Sequence, residues 1–152
     1  AGLLISPALG RAVTDVEGRW AGPAVSKVAV KGLGGSRAKS TDAVQVAGGA
    51  WSCDNSNGWC YDGTWSPDGK NLSWRFDMHS WIELQDMLDD WAAKEGFVDA
   101  NTVVSSITTK AKARENRKGR WLKITAKVKF SGLFKGRVRK GRAKLRGKYT
   151  PD

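Results

Sequence analysis

From Trp121 to Tyr149, apolar and charged residues take turns. Leu122, Ile124, Ala126, Val128 and Phe130 alternate with Lys123, Thr125, Lys127 and Lys129. A side-chain period of two describes a strand with one buried face. Gly141, Ala143, Leu145, Gly147 and Tyr149 alternate in the same way with Arg142, Lys144, Arg146 and Lys148. Phe134-Lys135-Gly136-Arg137 lies between the runs and suits a two-residue hairpin turn. Folding there sets 130 opposite 141, 128 opposite 143, 126 opposite 145, 124 opposite 147 and 122 opposite 149. One register thus collects a whole apolar face. It also sets Lys123 against Lys148, Lys127 against Lys144 and Lys129 against Arg142. Like charges directly across a ladder cost a few tenths to roughly 1 kcal/mol each. Such a face either solubilises the sheet or holds something negative.

The same pattern predicts elements upstream. Residues 1–15 lack periodicity, and Pro7 and Gly10 predict an irregular arm. A first strand covers Val16–Ala21 and a second Ser26–Lys31, with Gly22-Pro23 as the turn between them. Gly32–Thr41 reads as a flexible loop by composition. A third strand covers Asp42–Cys53, with a bulge or bend at Gly48-Gly49. Trp59–Trp65 and Asn71–Asp77 follow as strands four and five, joined by a turn at Ser66-Pro67-Asp68-Gly69. A helix begins at a capping box from Ser80 to Glu83. It carries Trp81, Leu84, Leu88 and Trp91 on one face, Glu83, Asp86, Asp89, Asp90 and Glu95 elsewhere, and stops near Gly96. Thr102–Ala113 alternates again and pairs with the Trp121 strand, 113 opposite 122 and 111 opposite 124. That places Lys112 across from Lys123, and Arg114 beside Trp121 within cation–π reach. The expected fold is mainly β: an antiparallel eight-stranded barrel or sandwich with one amphipathic helix between strands five and six. It forms a single domain over 16–152.

Charge sharpens the picture. The chain has a net charge of +11. Residues 110–152 hold 17 Lys and Arg against 2 Asp and Glu, and the remainder holds 9 against 13. This asymmetry points to a polyanionic partner. The candidates are an acidic protein, an acidic polysaccharide, an anionic lipid surface or a nucleic acid, and the chain can equally serve as a subunit of a larger assembly. The anion-binding residues are Lys110, Lys112, Lys123, Lys127, Lys129, Arg142, Lys144, Arg146 and Lys148. Nucleic acid is not favoured, because no aromatic RNA-binding box or Cys/His knuckle is present. The opposite assignment, apolar outside and basic inside, would make an anion-lined pore. Small residues at 126, 141, 143 and 147 and the lack of an aromatic girdle argue against it. No run of 18 apolar residues offers a membrane-spanning helix. The chain starts at Ala rather than Met, so a secreted, periplasmic or organelle-lumen protein with its targeting peptide removed is expected.

Catalytic chemistry is sparse. There is one His and no GxSxG, HExxH or CxxC motif. Asp54, Asp62, Asp68 and Asp77 sit where turns and caps use aspartate, and His79 adjoins the helix start. A non-enzyme without cofactor or metal is expected. Cys53 and Cys60 are spaced for a disulfide closing a hairpin end in an oxidising compartment. Free thiols are the alternative, and two Cys make a poor metal site. Of eight Trp, most fall on apolar faces. Trp59, Trp65 and Trp121 lie near strand ends and are candidates for stacking on sugars or bases.

Gly18-Arg19-Trp20 in the first strand, together with eight strands, resembles the lipocalin-type (calycin) barrel. In that family the Trp of a Gly-x-Trp closes one barrel end beneath an Arg from late in the chain. The resemblance implies this barrel-closing role for Gly18 and Trp20. Arg146 is the candidate partner, although the hairpin register turns it to the basic face. It also implies secretion and a cavity for a small apolar ligand.

Overall fold

The computed structural model describes residues 11–54, 62–97 and 100–152. Its strands are β1 (Arg11–Val13), β2 (Gly18–Val30), β3 (Gly34–Ala47), β4 (Ala50–Asp54), β5 (Gly63–Asp68), β6 (Asn71–Phe76), β7 (Val103–Asn116), β8 (Gly119–Phe134) and β9 (Arg137–Pro151). The helix α1 (Met78–Lys94) lies between β6 and β7. Strands β2 to β9 pair in chain order, each antiparallel to the next, and β9 returns to pair with β2. The result is a closed up-and-down barrel of eight strands, joined at the β6–β7 seam by the single pair Leu72 and Ala111. Strand β1 is an addition. It pairs with the far end of β7, where Arg11 and Glu115 form an ion pair at 2.5 Å.

From Ile107 onward the C-terminal half follows its sequence pattern, whereas a register shift between Val104 and Ser106 buries Val104 and turns Val103, expected on the apolar face, outward. Phe130 faces Gly141, Ala126 faces Leu145 and Leu122 faces Tyr149, and the turn is Lys135-Gly136. Both turn residues have positive φ, 51° and 76°. That is the hairpin geometry whose twist matches the flanking strands. Ala113 faces Leu122 and Ala111 faces Ile124, as the alternation predicts.

The N-terminal half reaches the expected strand count by another route. Gly22-Pro23 is not a turn, and β2 runs straight through it. The β2–β9 ladder lapses at 22 and 23, where the proline ring nitrogen has no hydrogen to give. The expected loop at 32–41 is mostly strand β3, reached by a tight turn in which Leu33 N–H donates to Val30 C=O at 3.0 Å. Its glycines and serines gave no apolar alternation, but pairing along the whole of β2 makes it a strand. Gly48-Gly49 is a hairpin turn, with φ of 60° and 81°, which splits the expected third strand into β3 and β4. Strand β5 extends through Pro67 to Asp68, so the turn is Gly69-Lys70. One merger and one split leave the barrel total at eight, and segment 34–41 lengthens β3 without adding a strand. With β1 ahead of the barrel, the helix falls between the sixth and seventh strands of the chain rather than the fifth and sixth.

Helix α1 starts two residues before the expected cap, with Trp81 N–H donating to Asp77 C=O at 3.1 Å. Its end is as expected. Gly96 has φ of 87°, Gly96 N–H donates to Ala93 C=O, and Phe97 N–H donates to Ala92 C=O at 2.8 Å. This pair of bonds is the Schellman arrangement. Leu84, Leu88 and Ala92 are fully buried and plug one barrel end against Val30, Phe130 and Phe134. Polar side chains fasten the plug: Gln85 Oε1 accepts from Val104 N–H at 3.0 Å and Asp89 Oδ1 from Thr102 N–H at 2.7 Å. Trp91 Nε1 donates to Ser36 Oγ at 2.6 Å, tying α1 to β3.

The opposite end is closed by Trp20, which is 2% exposed among Val13, Val16, Leu122 and Tyr149. Its indole N–H donates to Val16 C=O at 2.9 Å. The guanidinium over its ring, 5.7 Å from the centroid, belongs to Arg120. Arg120 also donates to Asp15 C=O at 2.7 Å. Arg146 instead stands on the outer face between Thr125 and Val25. The hairpin register already required this, because 146 and 145 must point to opposite sides.

Small residues inside the barrel make room for rings. A Cβ at Gly141 would lie 2.3–2.9 Å from Phe130 ring atoms. Gly141→Ala is therefore expected to cost roughly 1–3 kcal/mol through overpacking. Urea denaturation of the variant checks this, and a loss below about 0.5 kcal/mol would show that the ring moves aside freely.

Candidate anion-binding face

The outward positions of β7, β8 and β9 carry every cation singled out in the sequence. Lys123 faces Lys148, Lys127 faces Lys144, and Lys129 faces Arg142. Lys112 faces Lys123, and Lys110 faces Thr125, beside Arg146. Barrel closure then extends the field. Lys144 pairs with Lys27 of β2, and Lys27 pairs with Arg37 of β3. Lys127, Lys144, Lys27 and Arg37 thus form one row across four strands, spanning about 14 Å at the usual strand spacing. The next row reads Lys110, Thr125, Arg146, Val25 and Lys39. Rows lie about 7 Å apart along the strands.

Lys27, Arg37 and Lys39 are not evident from the sequence. Their signal is faint: Ser26–Lys31 alternates, and SRAKS alternates with it only once the two are paired. Composition alone marks residues 34–41 of β3 as loop.

No outward position between Lys110 and Lys39 across these five strands holds a carboxylate. The ion pairs between described residues are Arg11–Glu115 and Arg19–Asp152, and neither draws on the face. Mutual repulsion is visible at its centre. Arg146, then partial burial, then Lys127, Lys27 and Lys123 hold the Lys144 amine below the usual lysine pKa.

Trp121 sits at one end of the face. Lys148 Nζ is 5.3 Å and Lys112 Nζ 6.0 Å from its ring centroid. Arg114 pairs with Trp121 in the ladder, but its guanidinium donates to Lys70 C=O at 3.0 Å. The cation–π contacts therefore come from the two lysines. Trp65 is half-buried and packs against the core cluster that contains Trp20. Trp59 lies outside the described residues. So does Cys60, the expected partner of Cys53.

A groove of about 820 Å³ borders the face along the β6–β7 seam. Leu72 and Ala111 are the seam's one ladder pair, and the Thr109 hydroxyl donates to Trp74 C=O beyond it. Lys110, Lys112, Lys123 and Arg75 line the groove with Trp81.

A pocket of about 40 Å³ lies between Ser26, Asp42, Trp51, Trp74, Leu145 and Tyr149. Pockets for drug-sized ligands run to roughly 300–1,000 Å³. Asp42, 4% exposed, accepts from Ser40 Oγ at 3.0 Å and from Tyr149 Oη at 3.2 Å. Burial and then the Asp42 charge push the Tyr149 phenol far above the ordinary tyrosine range.

Among the described residues, no group of His, Cys, Asp and Glu is placed to hold a metal ion. No helix there is long and apolar enough to cross a membrane. Fold and face together define a closed antiparallel barrel with a single-signed cationic flank. No protein-family model, curated protein or solved structure matches the chain.

The Tyr149–Asp42 bond has a pH signature. A phenol whose folded pKa is raised contributes stability that is whole below the unfolded value of about 10 and is lost as pH rises past it. Tyr149→Phe takes a donor from a buried carboxylate and is expected to cost about 1–3 kcal/mol at neutral pH. It should also flatten the alkaline fall in stability. Urea midpoints from neutral pH to about pH 11, just beyond the unfolded phenol's pKa, check both. Parallel curves for the two proteins would show that the phenol ionises normally.

Proposed function

We propose that this protein is a non-enzymatic docking module whose cationic flank, from β7 across to β3, binds an extended anionic partner. The observation that carries the reading is the row Lys127, Lys144, Lys27 and Arg37. Four cations stand side by side across four strands, with no outward carboxylate among them. Each like-charged pair works against the ladder by a few tenths to roughly 1 kcal/mol. Surface composition alone does not demand that arrangement, since alternating signs would solubilise the sheet and stabilise it. A partner that brings negative charge turns the repulsion into binding free energy and releases counterions, so affinity falls steeply with salt.

An acidic protein, an acidic polysaccharide, an anionic lipid surface and a nucleic acid share this chemistry, and the module can serve within a larger assembly. Secretion or an organelle lumen suits the expected disulfide. We also infer a lipocalin-like (calycin) relation, supported by the eight-stranded closure and by Trp20 capped by Arg120. The carrier function of that family is not part of the proposal: the pocket of about 40 Å³ beside Tyr149 is smaller than an apolar ligand of fatty-acid size.

Replacing Lys27, Arg37, Lys127 and Lys144 with Ser tests the reading. The wild type is expected to elute late from heparin–agarose and the variant at markedly lower salt. The thermal midpoint of the variant should be equal or higher, because the repulsion is gone. Lys27→Ser/Arg37→Ser alone should reduce retention about as much as Lys127→Ser/Lys144→Ser. Retention that survives all four substitutions overturns the proposal.

A further inference from the structure

The cationic flank does not end in charge. Val103, Leu133 and Val138 are three of the five exposed large apolar side chains among the described residues, at 53%, 41% and 79%. They meet at one place. Leu133 and Val138 face each other as an outward pair at the β8–β9 hairpin end, and Val103 pairs with Ser131 beside them. Further from the tip on the same face, Ser131 faces Lys140 and Lys129 faces Arg142. The turn itself adds Lys135, and Arg137 follows it.

We propose that this hairpin end docks on a bilayer rich in anionic lipid. The three apolar side chains enter the headgroup layer, and the cations behind them meet lipid phosphates. The inference rests on the anion-docking reading and names its partner. Nucleic acids and sulfated polysaccharides supply charge but nothing that buries exposed aliphatic side chains. A bilayer places hydrocarbon directly beneath a continuous layer of negative charge, so it satisfies both halves of the surface. The other two exposed apolar residues, Met78 and Ile82, lie on the acidic helix, where charge opposes such a surface.

Co-sedimentation with vesicles tests the proposal. The wild type should bind vesicles of equal parts phosphatidylcholine and phosphatidylglycerol and ignore pure phosphatidylcholine. Leu133→Ser/Val138→Ser should lower that partitioning roughly ten- to hundredfold, with elution from heparin unchanged. Both side chains are exposed, so the variant is expected to fold, and its thermal midpoint verifies this. Met78→Ser/Ile82→Ser should leave partitioning as it was. A wild type that elutes late from heparin but ignores the mixed vesicles overturns the bilayer inference and leaves the docking reading standing. The bilayer inference falls equally if the tip variant partitions like the wild type, or if the helix variant loses as much as the tip variant. A wild type that binds neither heparin nor vesicles overturns both.

Discussion

The structure depends on the return of β9 to β2. Until that ladder forms, the chain is an open meander whose two ends are unpaired edges. Once it forms, each strand has an inside and an outside, and the two-residue period assigns every side chain to one of them. A slip of one residue would turn Ala143 and Leu145 outward and bring Lys144 and Arg146 into the barrel. Burying those charges unpaired would cost several kcal/mol apiece. The register is therefore held from within by the apolar face and from without by the refusal of lysine to be buried.

Closure also concentrates charge. In the hairpin alone, lysine repels lysine in isolated pairs. Bringing β2 alongside β9 sets Lys27 next to Lys144, and β3 adds Arg37. The lowered pKa of Lys144 records that crowding. The core offsets it: two apolar clusters fill the barrel, one beneath Trp20 and one beneath helix α1. A protein that needs only solubility has no reason to carry such a face, since mixed charges achieve that end while stabilising the sheet. The retained repulsion is the physical basis of our proposal that the flank meets an anionic partner.

Two devices seal the ends. Trp20 is held from below by Val16 C=O and from above by the Arg120 guanidinium. Helix α1 fills the other mouth with leucines and fastens itself through Gln85, Asp89 and Trp91. With both ends occupied, rings such as Phe130 lie over Gly141 in the interior.

The sequence by itself determined the C-terminal half. From Ile107 to Tyr149 the contrast between apolar and charged positions is strong, the β8–β9 turn carries its glycine, and only one register buries a continuous face. Nine cations of the candidate face were legible for that reason, as were the mainly-β class and the helix end at Gly96. Only the tertiary structure decided the rest. Residues 34–41 are small and polar, so nothing local distinguishes a strand from a loop there, and pairing with β2 makes the choice. Lys27, Arg37 and Lys39 join the face through strands whose neighbours are distant in sequence. Arg120 rather than Arg146 reaches Trp20 because barrel closure, not order along the chain, sets which guanidinium lies over the ring. Alternation is a local property, readable wherever side chains differ sharply in polarity. Adjacency across a closed barrel is a long-range property, and it exists only once β9 has returned to β2.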